Sequence, residues 1–418
     1  MGICGWATGI CILISHEFSF VSGTFKIVYD EVMNRLLKIL IYSTLFFFIF
    51  GQLGRIHIPD QPIYFYFYEV LVALTSVIFI SHYKLQPFNY VKKKVPITLF
   101  LAWMGVSFVI SLFYYTLNEN IIASLYALRL VMYGIYILYF YHHVKVTHLK
   151  LGASLIIISG IILLGSVFQY YLYPNIGNIA YLGWDPHISR LVGVFLDPPI
   201  AAGMFFLGGW YLINKAQKAK RPVIKVILLV VSFILIVLTY SRGAFLAILG
   251  VILLFGITLK RYKITAVMVL TIIVLIFLIP KAQTESINLL RTASITARLE
   301  DYRKGFEIWQ KNPIFGIGYN HIRFEKEKYI DEVFVEDYNP SHGIASFHSS
   351  FMIILVAGGV GGLSLFMYVL SILARKNMFF LMSVCFLSII SMFDNVLLHP
   401  FVIFFLGVLF VSDVHSSD

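Results

Sequence analysis

Four side chains in this sequence have the chemistry to bind an anion and to move a proton: Arg190, Arg242, Arg298 and His348. A guanidinium group stays protonated and binds phosphate oxygens through two parallel hydrogen bonds, which a lysine cannot reproduce. An imidazole changes its protonation state near neutral pH and can accept a proton from a hydroxyl group. These groups would work together only if the fold brought them to one place.

Arg242 lies in a very short polar break, Tyr240-Ser241-Arg242-Gly243, between two long apolar runs. A guanidinium group in such a turn can reach an anionic group at a membrane interface. The alternative is a snorkelling arginine that only marks the membrane boundary. Both interpretations place Arg242 at an interface between lipid and water.

His348 begins another apolar run, in Ser346-Phe347-His348-Ser349-Ser350. A lone histidine at such a position is usually structural. The helix that follows contains Gly358-Gly359-Val360-Gly361-Gly362, and such small residues permit close helix packing or local unwinding. A fixed site of this kind suits a histidine that acts as a general base.

Membrane-spanning helices are the elements that must position these residues. Of the 418 residues, 59% are hydrophobic and 13% are charged, so polar residues are too few to cover a water-soluble domain. A helix needs ~20 mainly apolar residues to cross a hydrocarbon core of ~30 Å. Twelve such segments can be drawn, at 36–53, 63–83, 95–116, 121–142, 151–173, 193–213, 224–240, 244–260, 264–280, 348–370, 378–393 and 400–412. The last two are short and would be tilted or partly buried. The predicted fold class is an all-α integral membrane protein with about 12 transmembrane helices.

The basic residues alternate between successive loops. Every second loop is basic; these loops contain Lys84 with Lys92-Lys93-Lys94, Lys145 with Lys150, Lys215 to Arg221, Lys260 to Lys263, and Arg375-Lys376. Because positive loops remain in the cytoplasm, both termini are predicted inside, and all four candidate residues fall on or near the outer face. This topology also explains the net charge of +11 without a nucleic-acid partner.

The sequence divides into four regions. Residues 1–32 contain an apolar run too short to span, and we interpret them as a non-native or non-spanning extension, with translation starting at Met33. Residues 33–280 would contain transmembrane helices 1–9, and 281–347 one large periplasmic or external loop. Residues 348–418 would contain transmembrane helices 10–12 and a short cytoplasmic tail.

The large loop contains an amphipathic helix over 295–311, because five residues recur at helical spacing: Ile295, Leu299, Tyr302, Phe306 and Trp309. Gly-Ile-Gly at 316–318 is a weak nucleotide signal, since no strand precedes it and no Lys-Ser/Thr follows. The charged residues of 325–337 indicate a solvated, mobile loop, and we assign them no role.

Two charges inside predicted spans, Glu69 and Arg129, are expected to pair with each other. For Arg190 two interpretations stand: a contact with a phosphate or glycan, or an ion pair with Asp197 or Asp185. The three cysteines and His142, His143 and His187 lack metal-ligand spacing, so neither a metal nor another cofactor is predicted.

Three sequence features together resemble the O-antigen ligase and polymerase family. Ser241-Arg242-Gly243-Ala244-Phe245-Leu246 looks like its Arg-x-x-x-Leu motif, and His348-Ser349 with Gly359 and Gly362 matches its second motif. Between them, 296–299 continuing to 312–318 resembles the large external loop of the family. The resemblance is firm over 224–370.

The resemblance implies a membrane glycosyltransferase that acts on the outer side of the bacterial inner membrane, in surface polysaccharide or lipopolysaccharide synthesis. The donor would be a glycan on undecaprenyl diphosphate, and the acceptor a hydroxyl of a lipid or glycan. Arg242 and Arg298 would hold the diphosphate and His348 would be the base of an inverting, metal-independent transfer. The sequence has no Asp-x-Asp, which fits a donor that is not a sugar nucleotide.

Two alternatives stand beside the ligase. A polymerase of the same superfamily would join a growing chain to a repeat unit, and the quoted motifs favour the ligase only slightly. A transporter or flippase would also be polytopic with basic inner loops, but such proteins usually show related halves and charged sites at the midplane.

Overall fold

The computed structural model describes residues 29–57, 64–92, 95–182, 187–278, 293–328 and 346–413. Within these ranges the chain forms α-helices, short 3₁₀ turns and one small β-hairpin. The helices are α1 (29–48), α2 (Phe67–Tyr83), α3 (Phe88–Lys92), α4 (Val95–Ser111), α5 (Leu117–Thr147), α6 (Gly152–Leu172), α7 (Pro198–Lys218), α8 (Pro222–Val237), α9 (Arg242–Thr258), α10 (Tyr262–Leu278), α11 (Ala293–Lys311), α12 (Ile322–Glu327), α13 (Ser350–Ala374), α14 (Met378–Ser391) and α15 (Pro400–Ser412). The predicted helical fold class is thus confirmed.

The hairpin joins α1 to α2. Strand β1 (Arg55–His57) pairs antiparallel with β2 (Tyr64–Tyr66), and Arg55 faces Tyr66 in the ladder. The predicted span at 63–83 therefore begins as a strand, and its helix starts only at Phe67.

Each of the twelve predicted apolar segments coincides with a helix, although the ends shift by several residues. Among the described residues, three helices have both the length and the composition to cross a bilayer: α5, α6 and α13. Seven others are apolar but have only 10–17 residues in the range assessed. The twelvefold crossing remains a prediction, as does the start at Met33, because residues 1–28 lie outside the described ranges.

Polar residues fix where the helices that carry the candidate residues begin. The Ser241 side chain accepts a hydrogen bond from the backbone N–H of Ala244 at the start of α9, and Ser349 does the same for Met352 at the start of α13. Such caps satisfy backbone donors that have no partner in the first turn. Arg242 and His348 are thereby held at the ends of rigid helices.

Two prolines start a helix instead of kinking one. Pro198 and Pro199 occupy the first turn of α7, and Asp197 caps it by accepting a bond of 3.1 Å from the backbone N–H of Ile200. Proline is well tolerated there because the first N–H groups of a helix have no intrahelical partner. The segment 193–213 is therefore an α-helix only from Pro198 onward.

The hydrophobic core runs along the whole bundle and is rich in aromatic rings. Nearly all of α7 is buried, and this helix packs against α6, α8 and α14. Close approach is possible where small residues meet, as at Gly208 beside Ser159 and Gly209 beside Ser232. The short helix α15 is also largely buried, as predicted for an element too short to span alone.

The expected pairing of Glu69 with Arg129 is confirmed. Arg129 donates to both carboxylate oxygens of Glu69, from Nε and from Nη2, at 2.6 Å each. Glu69 also accepts from the Tyr133 hydroxyl and, at 2.9 Å, from the backbone N–H of Tyr66. Both charges are therefore compensated, as an apolar surrounding requires.

Helix α13 is broken at Gly359, whose φ of 64° and ψ of −167° are not helical. The carbonyls freed by the break are taken up by residues 316–318: Ile317 N–H donates to Val356 O at 2.9 Å, and Gly318 N–H to Ala357 O at 3.0 Å. Val360 N–H in turn donates to Pro313 O at 2.9 Å. Local unwinding, one of the two expected roles of the glycine cluster, thus docks the segment before α12 onto α13.

Candidate active site

His348 is held by a carboxylate that the sequence analysis did not single out. Asp301 Oδ2 lies 3.0 Å from His348 Nδ1 and accepts a bond of 2.7 Å from the His348 backbone N–H. The His348 side chain is 45% exposed, whereas that of Asp301 is 10% exposed. The ring is therefore fixed on its Nδ1 side and accessible elsewhere.

The second oxygen of Asp301 binds a buried lysine. Lys326 Nζ lies 2.6 Å from Asp301 Oδ1 and donates to the carbonyl of Ser346 at 2.7 Å. It also lies 4.7 Å from the centre of the Phe347 ring. The chain immediately before His348 is thus tied to both α11 and α12.

The electrostatics of this group follow from its contacts. The hydrogen bond to Asp301 raises the pKa of His348, although burial opposes it. Burial raises the pKa of Asp301, but the bonds from His348 and Lys326 outweigh it and leave the pKa below its ordinary value. Burial lowers the pKa of Lys326 against the attraction of Asp301. An ionised carboxylate facing Nδ1 favours the tautomer with its proton on Nδ1, which leaves Nε2 as the proton acceptor.

Arg298 lies on the same helix as Asp301, one turn earlier. Its Nη2 is 3.4 Å from Asp394 Oδ2, in the turn between α14 and α15. Both side chains remain partly exposed, at 26% and 22%. Asp394 and Arg298 also both act on the charge of His348, Asp394 favouring the protonated ring and Arg298 opposing it. Arg298 therefore lies one helical turn from the carboxylate that binds His348.

The turn between α14 and α15 is the meeting point of several elements. The Ser349 hydroxyl donates to Ser391 O at 3.2 Å, and Ser350 donates to Asn395 Oδ1 at 3.0 Å. The Tyr302 hydroxyl of α11 donates to the carbonyl of Met392. Gly243, beside Arg242, packs against Phe393 of the same turn. The starts of α9 and α13 and one face of α11 thus surround this turn.

Two backbone carbonyls hold Arg190 in place, and its predicted contact with a phosphate or glycan stays a prediction. Its side chain is buried, and it donates from Nε to Thr239 O at 3.0 Å and from Nη2 to Tyr240 O at 3.2 Å. These carbonyls immediately precede Ser241 and Arg242. Arg190 therefore braces the turn that presents Arg242, and Arg242 itself is half-buried at the start of α9.

The helix α11 is correctly predicted, but its packed face only in part: Tyr302 and Trp309 pack against the buried cluster around Ile308. Leu299 and Phe306 are 65% and 46% exposed, while Asp301, Gly305 and Ile308 are buried. The buried positions 301, 305 and 308 each lie one residue before the predicted positions 302, 306 and 309. A carboxylate in register with a glycine and an isoleucine at helical spacing was the signal that could have revealed Asp301.

The interpretation of 325–337 as a solvated loop is wrong for its first two residues. Glu325 and Lys326 belong to α12 and are 6% and 7% exposed. Glu325 Oε2 binds Lys311 at 2.9 Å, and its Oε1 binds Lys328 at 2.6 Å. The high density of charged residues in the sequence does not distinguish buried ion pairs from solvated side chains. Residues 329–337 lie outside the described ranges.

The segment around α12 is also anchored to the turn between α4 and α5. His321 is buried, with its Nδ1 3.2 Å from the Ser111 hydroxyl and its Nε2 3.0 Å from Asn120 Oδ1. Burial lowers its pKa to about 4, so the ring stays neutral and structural. Among the residues described, no group of three or more His, Cys, Asp or Glu side chains is arranged to hold a metal ion.

Comparison with protein families identifies a matching region that contains the candidate residues of α9, α11 and α13. Residues 227–367 match the family model described as O-antigen ligase, and that stretch contains Arg242, Arg298, Asp301, Lys326 and His348. No curated protein matches the chain. The match implies glycosyltransferase-like activity and a lipid-linked glycan donor, and it favours an enzyme over a transporter or flippase. Residues 227–367 are therefore similar to the O-antigen ligase family, and this match together with the apolar helices points to a multi-pass membrane protein.

Proposed function

We propose that the protein transfers a glycan from undecaprenyl diphosphate to an acceptor hydroxyl on the outer side of the bacterial inner membrane. The observation that carries this proposal is the His348 ring, bonded through Nδ1 to Asp301 and partly exposed at the start of α13. It lies beside Arg298 and near the helix that begins at Arg242. A proton acceptor beside guanidinium groups suits an acceptor hydroxyl that attacks a sugar diphosphate.

In the proposed step, the acceptor oxygen attacks the anomeric carbon from the face opposite the diphosphate. A new carbon–oxygen bond forms, and the bond between the anomeric carbon and the phosphate oxygen breaks. The hydroxyl proton passes to Nε2 of His348, and the electron pair of the broken bond leaves with undecaprenyl diphosphate. Inversion at the anomeric carbon follows from attack opposite the leaving group.

The leaving group carries the charge that the site must stabilise. Arg242 and Arg298 are proposed to bind the diphosphate oxygens, which takes the place of a metal ion in this transfer. For Arg298 this requires exchange of Asp394, and its contact of 3.4 Å is long enough to be a weak bond. Arg190 supports this arrangement by bracing the turn before Arg242.

Purified protein incubated with a lipid-diphosphate-linked glycan and a lipid or glycan acceptor tests the activity. We expect the glycosylated acceptor and free undecaprenyl diphosphate to appear together, and His348→Ala to form neither. Arg303→Ala, at an exposed site on the outward face of α11, is the matched control and should remain active. Hydrolysis of the donor without any acceptor product would contradict the proposal.

Cells that lack the protein would distinguish a ligase from a polymerase. Loss of a ligase leaves finished polymer on the lipid carrier, whereas loss of a polymerase leaves single repeat units. The motifs around Arg242 and His348 favour the ligase, so accumulated lipid-linked polymer is the expected result. Accumulation of single units would assign the same chemistry to chain growth.

A further inference from the structure

Lys326 is a buried cation that the proposed transfer does not use directly. Its side chain is 7% exposed, and its ammonium group contacts Asp301 Oδ1 and the carbonyl of Ser346. A buried cation lowers stability unless it is compensated, and an isolated buried pair is often no more stable than an apolar replacement. Asp301 contacts Nδ1 of His348 and Lys326 contacts Asp301, so substitutions at either residue can be tested for an effect on the ring.

Asp301 and Lys326 lie on the Nδ1 side of the imidazole. Asp301 Oδ2 accepts from both the ring and the backbone of His348, at 3.0 Å and 2.7 Å. Alone, this carboxylate would hold the ring as an imidazolium, which cannot accept a proton. Lys326 at 2.6 Å from the other oxygen of the same carboxylate offsets that attraction.

We propose that Asp301 and Lys326 are positioning residues: Asp301 orients the ring with Nε2 free, and Lys326 offsets the carboxylate so that the ring remains a base. The pair acts through His348 and touches no substrate. This inference rests on the proposed function in assigning the proton acceptor to Nε2. The orientation and the charge balance concern the protein alone.

The other charged groups near His348 are few among the described residues. Arg298 comes from the same helix as Asp301, and Asp394 from the turn between α14 and α15. Lys304 acts on Lys326 from α11. All three remain unchanged in the variants below, so differences between the variants report only on Asp301 and Lys326.

The two substitutions should move the pKa of His348 in opposite directions. Lys326→Met keeps the apolar stem and removes the cation, so the carboxylate acts on the ring unopposed and raises its pKa. Asp301→Asn removes the carboxylate and lowers that pKa. We expect the acid limb of the pH–rate profile to shift upward by about 1 pH unit in Lys326→Met and downward in Asp301→Asn.

A structural role alone would not produce these shifts. In Lys326→Met the transfer rate should fall roughly tenfold below the limb and recover as the pH rises. In Asp301→Asn the maximal rate should fall below that of the wild type, because the ring loses part of its orientation, while the acid limb moves to lower pH. Lys328→Met, two residues further on and 58% exposed, is the matched control and should keep the wild-type profile.

A second measurement needs no glycan. The rate at which diethylpyrocarbonate modifies His348 depends on its neutral fraction, and mass spectrometry of the modified peptide gives the rate as a function of pH. The midpoints should follow the order Asp301→Asn, wild type, Lys326→Met. An unchanged midpoint in Lys326→Met would overturn the inference.

The double variant Lys326→Met/Asp301→Asn guards against misfolding of a single one. In Asp301→Asn the Lys326 cation acts on the ring without a carboxylate between them and lowers the pKa of His348. Removing Lys326 in this background should therefore raise the midpoint above that of Asp301→Asn. A midpoint equal to that of Asp301→Asn would overturn the inference. Ordered midpoints in a protein that transfers no glycan would support the pair and refute the proposed function.

Discussion

At the scale of single residues, the four basic side chains found from the sequence divide into two kinds. Arg242, Arg298 and His348 remain partly exposed and can be reached by a ligand. Arg190 is buried against the carbonyls of Thr239 and Tyr240. Side-chain type and spacing identified the residues, but only the fold showed which of them are committed to backbone groups.

Arg242→Lys tests whether the guanidinium fork matters at the start of α9. Lysine keeps the charge but binds phosphate as a point charge, so the transition state loses at least one charged hydrogen bond. Such a bond contributes ~1.5–3 kcal/mol, which corresponds to roughly 10–100-fold in kcat/KM for transfer. Arg303→Lys, at an exposed position, should cost nothing measurable. Full activity of Arg242→Lys would exclude direct binding of the diphosphate.

Arg190→Gln tests the bracing role of Arg190. Two buried carbonyls lose their charged donor, and each unsatisfied group costs ~1–3 kcal/mol, so the thermal unfolding temperature should fall along with activity. Thermal unfolding in detergent measures the effect. Arg242→Gln provides the comparison and should change the Tm little, because a ligand-binding residue can be lost without loss of stability. An unchanged Tm in Arg190→Gln would restore the earlier interpretation of Arg190 as a binding residue.

At the scale of elements, local sequence patterns predicted where helices occur better than which face of each helix is buried. The run from 295 to 311 predicted a helix, and α11 covers Ala293–Lys311. Its apolar residues Leu299 and Phe306 nevertheless point away from the described core. The sequence could not predict this, because hydrophobicity alone does not distinguish a protein interior from lipid. The pairing of Asp301 with Lys326 could not be predicted, because the two residues lie 25 positions apart and are joined only by tertiary packing.

The break in α13 is the element on which the segment before α12 depends. Gly359→Ala places a methyl group against the carbonyl oxygen of Ile314 in a left-handed backbone conformation. Strain and collision together should lower the free energy of unfolding by roughly 2–4 kcal/mol and loosen residues 313–318. Gly362→Ala is the matched control, because its new methyl group meets the flexible Met104 side chain at 3.3 Å.

Thermal unfolding and limited proteolysis measure the two effects separately. Gly359→Ala should unfold at a lower temperature and be cleaved sooner between α11 and α13, while Gly362→Ala resembles the wild type in both. Equal behaviour of the two variants would show that the docking of 313–318 contributes little. The glycine cluster predicted either close packing or local unwinding of this helix. Which glycine breaks the helix depends on tertiary contacts, because residues 316–318 bind the carbonyls that the break leaves without partners.

At the scale of the whole molecule, the charge pattern predicts how the protein is oriented in the membrane, and the helix ends show which residues lie on each side. Lys218 and Lys260 stand at the carboxyl ends of α7 and α9, whereas Arg242 and Asp197 stand at the opposite ends of these helices. Basic residues at a helix carboxyl end also suit the helix dipole, but that effect is small beside the preference of positive loops for the cytoplasm. The proposed site should therefore open on the outer side.

Cysteine labelling of intact cells tests this orientation directly. In a background with the native cysteines replaced, Arg303→Cys, Lys218→Cys and Lys260→Cys each introduce an exposed thiol. A membrane-impermeant maleimide should label the cysteine at 303 in intact cells, and those at 218 and 260 only after the membrane is made permeable. Labelling of 218 and 260 from outside would place the candidate site in the cytoplasm, where a sugar nucleotide would be an available donor. Labelling of 303 and 260 from the same side would contradict the membrane crossing predicted for α10.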